Sequence, residues 1–492
     1  MKKLKLFLVA NLLFIFLSFS VLFSQTWEIY EMDKKIINEE KEHSELMKNL
    51  EYLCDVIGPR LTGSKALKKA NDWTAEKFKE YGCVNVHLES WKFGREWFRG
   101  PAEAKIVEPV EKPLIVAQMA WTPPTNGKVR GPVILVDAKK MEDLQAYKGK
   151  LKNKFVLLGK PVKIPVIPKE VRFRRPDTIK PLEPPKRRTP DIIKQYQRRI
   201  AFRDSLTALL HNEGVLAIIR DSGKEHGLLN MTGGGGQDPD RNPQPITTAF
   251  MIHEHYAQLV RMLNRGMNVT LEMNLQSSYG TEIVDAYNTV AEIRGTEKPD
   301  EIVILGAHLD SWDLAQGATD NGTGSMAVLE VARILNAVGA KPKRTIRFIL
   351  FSGEEQGLLG SRAYVEAHKD EWDKISGCFV FDIGSGRIRG ISLQGRERVV
   401  PIMQTIFAPF IYMGVIDVNL RYQGGTDHLS FDMVGIPGFA FYQDPLEYGK
   451  THHSQTDTYG HVSEPDMIQA ATVFASTVLK VANLPEMLPR EK

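Results

Sequence analysis

Histidine and acidic side chains directly follow three apolar runs in the second half of the chain. His308 and Asp310 close the run "EIVILGAHLD", Glu354 and Glu355 close "RTIRFILFSGEE", and Asp382 follows "GCFVF". In open α/β sheets, ligands bind beyond the carboxyl ends of the strands. We therefore expect the three runs to be strands that deliver a histidine and several carboxylates to one edge of one sheet.

Two loops can complete this cluster. Asp320 stands in "DNGTG", and His453 stands in "THHSQTDT". Taken alone, a histidine, a Glu-Glu pair or an aspartate after a strand is more typical of a solvated surface or a turn. The ordered series H-x-D, DNGTG, GEExG, Asp after a strand and HSxxDT favours one shared site instead.

The residue types in this series indicate a catalytic metal site. Histidine and carboxylate ligands suit zinc, and a zinc site without cysteine is typical of catalysis rather than of structure. Two ions about 3.5–4 Å apart polarise a scissile carbonyl and lower the pKa of a bridging water. A carboxylate that binds no metal can then take the proton of that water and pass it to a leaving amine. The adjacent Glu354 and Glu355 could divide these tasks.

The elements that must position these residues alternate between strand and helix from about residue 283. The segment "GTGSMAVLEVARIL" is amphipathic and follows Asp320 and Asn321, which are good N-cap types. Residues 30–82 are predicted to be helical, with Gly82 as a C-terminal stop. The alternation predicts an α/β fold with a mixed, largely parallel sheet sandwiched by helices.

The middle of the chain, residues 112–278, differs in texture and predicts a second, mainly β domain inserted into the first. It holds short apolar runs such as "GPVILVDA" and "NKFVLLG", each closed by a turn signal. A basic, Pro-rich excursion at about 160–190 is either a solvated polyproline segment or a lid or docking arm. The loop "TGGGGQ" follows no strand–helix phosphate pattern, so it does not indicate a nucleotide site.

The N-terminus predicts a signal peptide over residues 1–24. Lys2, Lys3 and Lys5 precede the apolar stretch Leu6–Leu22, and the small residue Ser24 precedes polar sequence. Cleavage there is favoured over an uncleaved membrane anchor, so we expect a secreted or periplasmic protein without a stable anchor. The formal charge is +4, and without the three lysines it is +1. A value so close to neutral gives no argument for nucleic acid as a partner.

The three cysteines do not form a disulfide framework or a zinc knuckle. Cys54, Cys83 and Cys378 are scattered along the chain and are best interpreted as small buried hydrophobes. One bridge, between Cys54 and Cys83, stays open.

The blocks "GAHLDSWDLAQGATDNGTG", "FSGEEQGLLGS", "FDIG" and "HHSQTDTY" resemble the signature blocks of the co-catalytic di-zinc aminopeptidase family. The doubled histidine and the inserted segment resemble the carboxypeptidase Q branch in particular. The resemblance implies a zinc-exopeptidase catalytic domain over 25–111 and 279–492. It also implies a protease-associated domain over 112–278 and two Zn²⁺ ions per chain.

The resemblance also implies a role for each residue of the cluster. Five residues would bind zinc, with Asp320 bridging both ions: His308, Asp320, Glu355, Asp382 and His453. Glu354 would be the general base. His452 is the less favoured histidine because the family motif places the ligand directly before Ser or Thr. Asp310 would orient the ring of His308 and Asp457 that of His453, and a cis peptide bond would follow Asp320.

Three further residues have two interpretations each. Asp427 and His428, in "GGTDHLSF", could face the substrate or be structural. Tyr448 could stabilise a tetrahedral intermediate through its hydroxyl or simply pack.

The sequence favours an exopeptidase that acts on the free N-termini of short peptides or dipeptides. The alternative is a carboxypeptidase of the glutamate carboxypeptidase type, which would need a basic pocket, and Arg387, Arg389 and Arg421 are the candidates for it. A metal-free, receptor-like homologue is a third class, but the complete ligand set argues against it. The side-chain preference, the physiological substrate and a homodimeric state are open at this stage.

Overall fold

A computed structural model describes residues 31–164, 190–233 and 246–492. The predicted signal peptide and the "GGGQ" part of the glycine-rich loop lie outside the described residues, as does most of the Pro-rich excursion. The strands are β1 Val84–Glu108, β2 Lys112–Leu114, β3 Val116–Gln118, β4 Val129–Val136, β5 Phe155–Leu158, β6 Ala217–Asp221, β7 Thr248–Met251, β8 Thr270–Ile293, β9 Lys298–His308, β10 Arg344–Phe351, β11 Ile375–Val380, β12 Ile388–Ser392, β13 Asp417–Asn419 and β14 Gly438–Gln443.

The α-helices lie between and around these strands along the chain. They span 31–43, Leu46–Glu51, Lys65–Glu80, Pro190–Glu213, His253–Asn264, Thr323–Ala337, Leu359–Ala367, Val400–Phe407, His428–Asp432, Tyr448–Thr451 and Glu464–Ala482. Within the described ranges, no helix is both long and apolar enough to span a bilayer.

The strands form one sheet in the order β13-β12-β14-β11-β9-β10-β8-β4-β5-β6-β7-β3, with β1 paired to β8 and β2 paired to β1. Strand β9 pairs in parallel with both β10 and β11. Its residues Ile302 to His308 are all buried, as are all residues of β10 and β11. Continuous apolar runs of this kind are typical of central parallel strands covered on both faces. The predicted mixed, largely parallel sheet flanked by helices is confirmed.

Helix Thr323–Ala337 is buried along nearly its whole length rather than on one face. Every residue from Thr323 to Leu335 is buried, so the helix lies inside the molecule, as a helix without an exposed face must. It begins at Thr323, later than the aspartate predicted to cap it. Asn321 still contributes a cap, because its Oδ1 accepts a hydrogen bond from the Gly324 N–H at 2.9 Å.

The segment predicted to be an insert, residues 112–278, extends the same sheet beyond β8. Strands β4, β5, β6 and β7 pair in parallel with one another in that order, and their residues contribute to two further apolar clusters. The insert also contains helices Pro190–Glu213 and His253–Asn264, so it is less dominated by strands than predicted. Strand β8 continues from the insert into the catalytic sheet, where it pairs with β10.

All three cysteines are buried and free. The disulfide that the sequence left open between Cys54 and Cys83 is therefore not formed.

Candidate metal centre

The carboxyl ends of three adjacent strands build the centre. Strand β9 ends at His308, and Phe351, the last residue of β10, lies opposite it in the ladder. Glu354 and Glu355 follow β10, while Asp382 follows β11, whose Val380 lies opposite Gly306 of β9. Because these strands are parallel neighbours, their ends meet at one edge, as the sequence predicted.

His308 lies at the first half of the centre. Its Nε2 is 3.1 Å from Asp382 Oδ1, 3.4 Å from Asp320 Oδ1 and 4.0 Å from Glu354 Oε2. The His308 ring is fully buried. Its Nδ1 lies 3.0 Å from the backbone carbonyl of Asp310, which leaves Nε2 directed toward the carboxylates.

His453 lies at the second half. Its Nε2 is 2.9 Å from Glu355 Oε2 and 3.4 Å from Asp320 Oδ2. His452 is stacked on it, with ring centroids 3.7 Å apart, and its Nε2 lies 3.8 Å from Asp320 Oδ2. The two carboxylate oxygens of Asp320 therefore face different histidines.

Among the described residues, two groups of three have ligand atoms close enough together to hold a cation. One consists of His308, Asp320 and Asp382, and the other of Asp320, His452 and His453. Asp320 belongs to both groups, which is the arrangement that a bridging carboxylate requires. The second group includes His452, which the sequence placed second to His453.

Unpaired buried oxygens show that the centre suits a cation. Asp320 Oδ2 and Glu355 Oε1 are buried without a hydrogen-bond partner. Burial, and then the neighbouring Asp320 carboxylate, raise the pKa of Glu355 well above its usual value. Burial and the charge of Asp382 raise the pKa of Glu354 in the same direction. Closely packed buried carboxylates without counter-charge are costly, and a cation removes that cost. The donor set of imidazole and carboxylate fits zinc.

Asp310 lies beside the His308 ring and also holds the backbone of both glutamates. Its carboxylate lies 3.6 Å from His308 Nδ1, and its carbonyl, at 3.0 Å, makes the closer contact with that ring. The carboxylate oxygens accept hydrogen bonds from the N–H groups of Glu354 and Glu355, each at 3.3 Å, and from the Thr62 hydroxyl at 2.9 Å. Asp310 thus fixes the backbone on which both glutamates stand.

Asp457 has a partner other than the one predicted. Its Oδ1 accepts from the Thr319 N–H at 2.5 Å and the Thr319 hydroxyl at 2.7 Å, and its Oδ2 accepts from the Asp320 N–H at 3.2 Å. It therefore holds the Asp320 loop, where the sequence expected it to orient His453. Burial and the Asp320 charge raise the pKa of Asp457 to about 7. The cis peptide bond implied after Asp320 is present.

The three residues with two interpretations, Asp427, His428 and Tyr448, differ in their surroundings. Asp427 is fully buried, and burial together with the charges of Asp310 and Asp382 raises its pKa to about 7, so it lies beside the centre. Burial and the charges of Asp320 and Asp382 likewise raise the pKa of Tyr448. His428 instead lies 3.1 Å from the Gln423 carbonyl through Nε2 and is buried, which favours its structural interpretation.

The three arginines proposed for a carboxylate pocket have partners outside the cluster. Arg387 Nε donates to Asp466 at 3.1 Å, and Arg389 lies 3.8 Å from Asp444. Arg421 lies over the ring of Tyr442, 5.9 Å from its centroid.

Two supporting residues escaped the sequence analysis. Arg60 is fully buried and donates hydrogen bonds to carbonyls at both ends of the loop between β9 and Asp320. Trp312 lies edge-on to the His453 ring at 5.9 Å and lines a small cavity with Asp320 and Glu355. Arg60 stands in "GPRLTGS", outside the quoted blocks, whereas Trp312 stands in the block "GAHLDSWDLAQGATDNGTG", two residues after Asp310.

Comparison with known proteins agrees with this geometry. Residues 288–478 match the model of Peptidase family M28. Together with the relatives below, this match supports a co-catalytic zinc exopeptidase family. The chain is a metallo-exopeptidase, a hydrolase of peptide bonds. The matched range contains every residue of the cluster from His308 to Asp457.

Curated relatives match most of the length of this chain. It is 29% identical over 444 residues to carboxypeptidase Q of Bos taurus, covering 90% of this chain and 86% of the relative. It is 25% identical over 306 residues to leucine aminopeptidase 1 of Arthroderma otae, covering 56% of this chain and 79% of the relative.

Solved peptidase structures share the fold. A peptidase M28 precursor from Shewanella amazonensis superposes with a TM-score of 0.76 at 26% identity, covering 94% of this chain and 99% of that one. A zinc aminopeptidase from Bacillus subtilis gives a TM-score of 0.61 at 19% identity, covering 88% and 93%, and supports the fold alone.

Proposed function

We propose that this protein is a two-zinc exopeptidase that removes residues from the free N-termini of short peptides outside the cytoplasm. One observation carries the proposal: the two oxygens of Asp320 face His308 on one side and His453 on the other. His308 and Asp382 would hold one ion, Glu355 and His453 the other, and Asp320 both. When bound, the ions polarise the scissile carbonyl and acidify the attacking water.

Glu354 is the general base in this proposal. Its carboxylate lies 4.0 Å from His308 Nε2, farther than Asp320 and Asp382 do, whereas the Glu355 carboxylate lies 2.9 Å from His453 Nε2. The Glu354 N–H donates a hydrogen bond to Asp310, which fixes the backbone from which the Glu354 side chain extends at the edge of the centre. Glu354 accepts a proton from the attacking water and returns it to the amine nitrogen of the leaving group.

The amino-terminal polarity is supported by the positions of the arginines. A carboxypeptidase needs a cation free to bind a terminal carboxylate, and Arg387, Arg389 and Arg421 already have other partners. The relatives' names include both polarities, carboxypeptidase Q and leucine aminopeptidase, so the carboxypeptidase stays the alternative. The complete ligand set disfavours a metal-free receptor-like protein. The insert as a protease-associated domain, the signal peptide and a homodimer stay predictions.

A terminus-blocking experiment tests the proposal. The purified zinc-loaded protein should hydrolyse Leu-Ala and Leu-Ala amide but not N-acetyl-Leu-Ala. Glu354→Ala should abolish turnover, while Glu366→Ala, at an exposed glutamate paired with Lys369, should leave it unchanged. Equal hydrolysis of the acetylated peptide contradicts the requirement for a free amine. Loss of activity on the amide alone supports the carboxypeptidase.

A further inference from the structure

The loop that carries His453 is held from outside by the insert. Three groups of the insert contact it: the Met231 N–H donates to the His453 carbonyl at 2.8 Å, the Leu229 N–H donates to Gln455 Oε1 at 2.8 Å, and Lys224 contacts the preceding turn. Gln455 Nε2 donates back to the Gly227 carbonyl at 3.1 Å. Residues 224–231 therefore contact residues 449–455 through one backbone–backbone hydrogen bond and through bonds made by the side chains of Lys224 and Gln455.

Lys224 makes the most specific of these contacts. Its Nζ donates to the His452 carbonyl at 2.8 Å and to the Gly449 carbonyl at 2.9 Å. A single ammonium thus joins the two ends of the short helical turn Tyr448–Thr451 that leads into His453. The carbonyls of two consecutive residues, His452 and His453, are both bonded by groups of the insert.

The segment that carries Lys224 is itself fixed within the insert. Asp221, the last residue of β6, accepts hydrogen bonds from the Gly223 N–H at 2.9 Å and the Val162 N–H at 2.8 Å. Its Oδ2 also lies 3.0 Å from His253 Nδ1. Lys224 therefore projects from an anchored turn, which allows it to restrain the loop opposite.

The backbone of His453 explains why such restraint is needed. Its φ is +56°, in the left-handed region that non-glycine residues rarely adopt. A residue in this region is held there by its surroundings. The conformation directs the His453 ring toward Glu355 and Asp320, at 2.9 and 3.4 Å.

We propose that Lys224 of the insert is a positioning residue of the metal centre: by holding the carbonyls of Gly449 and His452, it keeps His453 oriented toward Asp320 and Glu355. The inserted domain thereby completes the centre without supplying a ligand. This inference rests on the proposed two-zinc function, since it assigns His453 to a metal.

The test compares Lys224→Met, which removes the donors and keeps most of the side-chain volume, with Lys224→Arg, which restores them. Lys150→Met, at an exposed lysine of the insert, is the matched control. For each full-length protein the Zn²⁺ dissociation constant is measured by chelator competition, the melting temperature is measured without metal, and kcat and KM are measured on Leu-Ala.

For Lys224→Met we expect about 10-fold weaker Zn²⁺ binding and a similar fall in kcat, as is usual when a partner of a metal ligand is lost. KM should change less than about 2-fold, because ground-state binding of the peptide is retained. Lys224→Arg should recover most of both losses, and Lys150→Met should match the parent.

The inference is overturned if the metal-free melting temperature falls while the Zn²⁺ affinity and kcat of the folded protein stay at parental values. That result shows a purely structural contact. If Lys224→Met does not fold, Lys224→Gln carries the same measurements with one donor group retained. A parent protein that neither binds Zn²⁺ nor hydrolyses Leu-Ala overturns the proposed function itself, and that result is distinct from a Lys224 variant that behaves as the parent does.

Discussion

Replacing Arg60 by methionine should lower the free energy of unfolding more than the replacement of an exposed arginine does. Arg60 is fully buried, and its guanidinium donates to the carbonyls of Leu309 at 2.7 Å, Gly58 at 3.0 Å, Gln316 at 2.8 Å and Gly317 at 2.6 Å. These bonds connect the segment just before helix Lys65–Glu80 to both ends of the loop that follows β9.

The magnitude follows from which acceptors stay buried. The bonds to Leu309 and Gly317 are buried, while those to Gly58 and Gln316 are partly exposed and can be replaced by water. Each buried acceptor left without a donor costs about 1–3 kcal/mol. Burial lowers the pKa of Arg60, so removing its charge returns part of this free energy. Two buried acceptors together give about 2–6 kcal/mol, and we expect a net loss toward the lower end of that range.

Urea unfolding of the metal-free protein measures this loss. Arg60→Met is compared with Arg130→Met, a half-exposed arginine paired with Glu108, which should change the free energy of unfolding by less than about 0.5 kcal/mol. A loss below about 1 kcal/mol for Arg60→Met, with an unchanged denaturant slope, would refute the reasoning that these four bonds stabilise the loop.

Three other measurements follow from the same contacts. Asp320→Asn should reduce the zinc content measured by elemental analysis at both positions rather than one, because each carboxylate oxygen faces a different histidine; loss of a single equivalent contradicts the bridging role. The hydrogen bond of His368 with Glu89, and then their charges, raise the pKa of His368. Its contribution to stability is therefore complete below the unfolded pKa of about 6.5 and fades as pH rises through the folded value. His368→Gln should lower the melting temperature at pH 5.5 and less so at pH 9, and an equal loss at both would exclude the charge. The thiols of Cys54 and Cys83, whose pKa values burial raises to about 12, should react with a thiol reagent only after unfolding, and fast reaction of the native protein would contradict their burial.

Much of the catalytic sheet could be predicted because its signal is local. The runs that became the buried parts of β9, β10 and β11 are mostly apolar, as is typical of strands covered on both faces. The length of β1 and β8 could not be predicted. Their 25 and 24 residues pair with each other along most of their length, and that ladder depends on the partner strand rather than on either sequence alone.

The boundary of the insert shows the same limit. The change in texture near residues 112 and 278 is visible in the sequence, but β8 crosses the second boundary without interruption. One strand therefore belongs to the ladders of both parts.

The sequence by itself determined the chemistry of the centre: which side chains are imidazoles and carboxylates, and that parallel strands carry most of them to one edge. The tertiary structure alone decided what holds them. Asp310 bonds the N–H groups of Glu354 and Glu355, and Lys224 bonds carbonyls beside His453. The physical reason is that every residue carries nearly the same backbone donors and acceptors. A hydrogen bond to the backbone therefore leaves no mark on the residue that receives it, whereas a strand covered on both faces needs mostly apolar side chains.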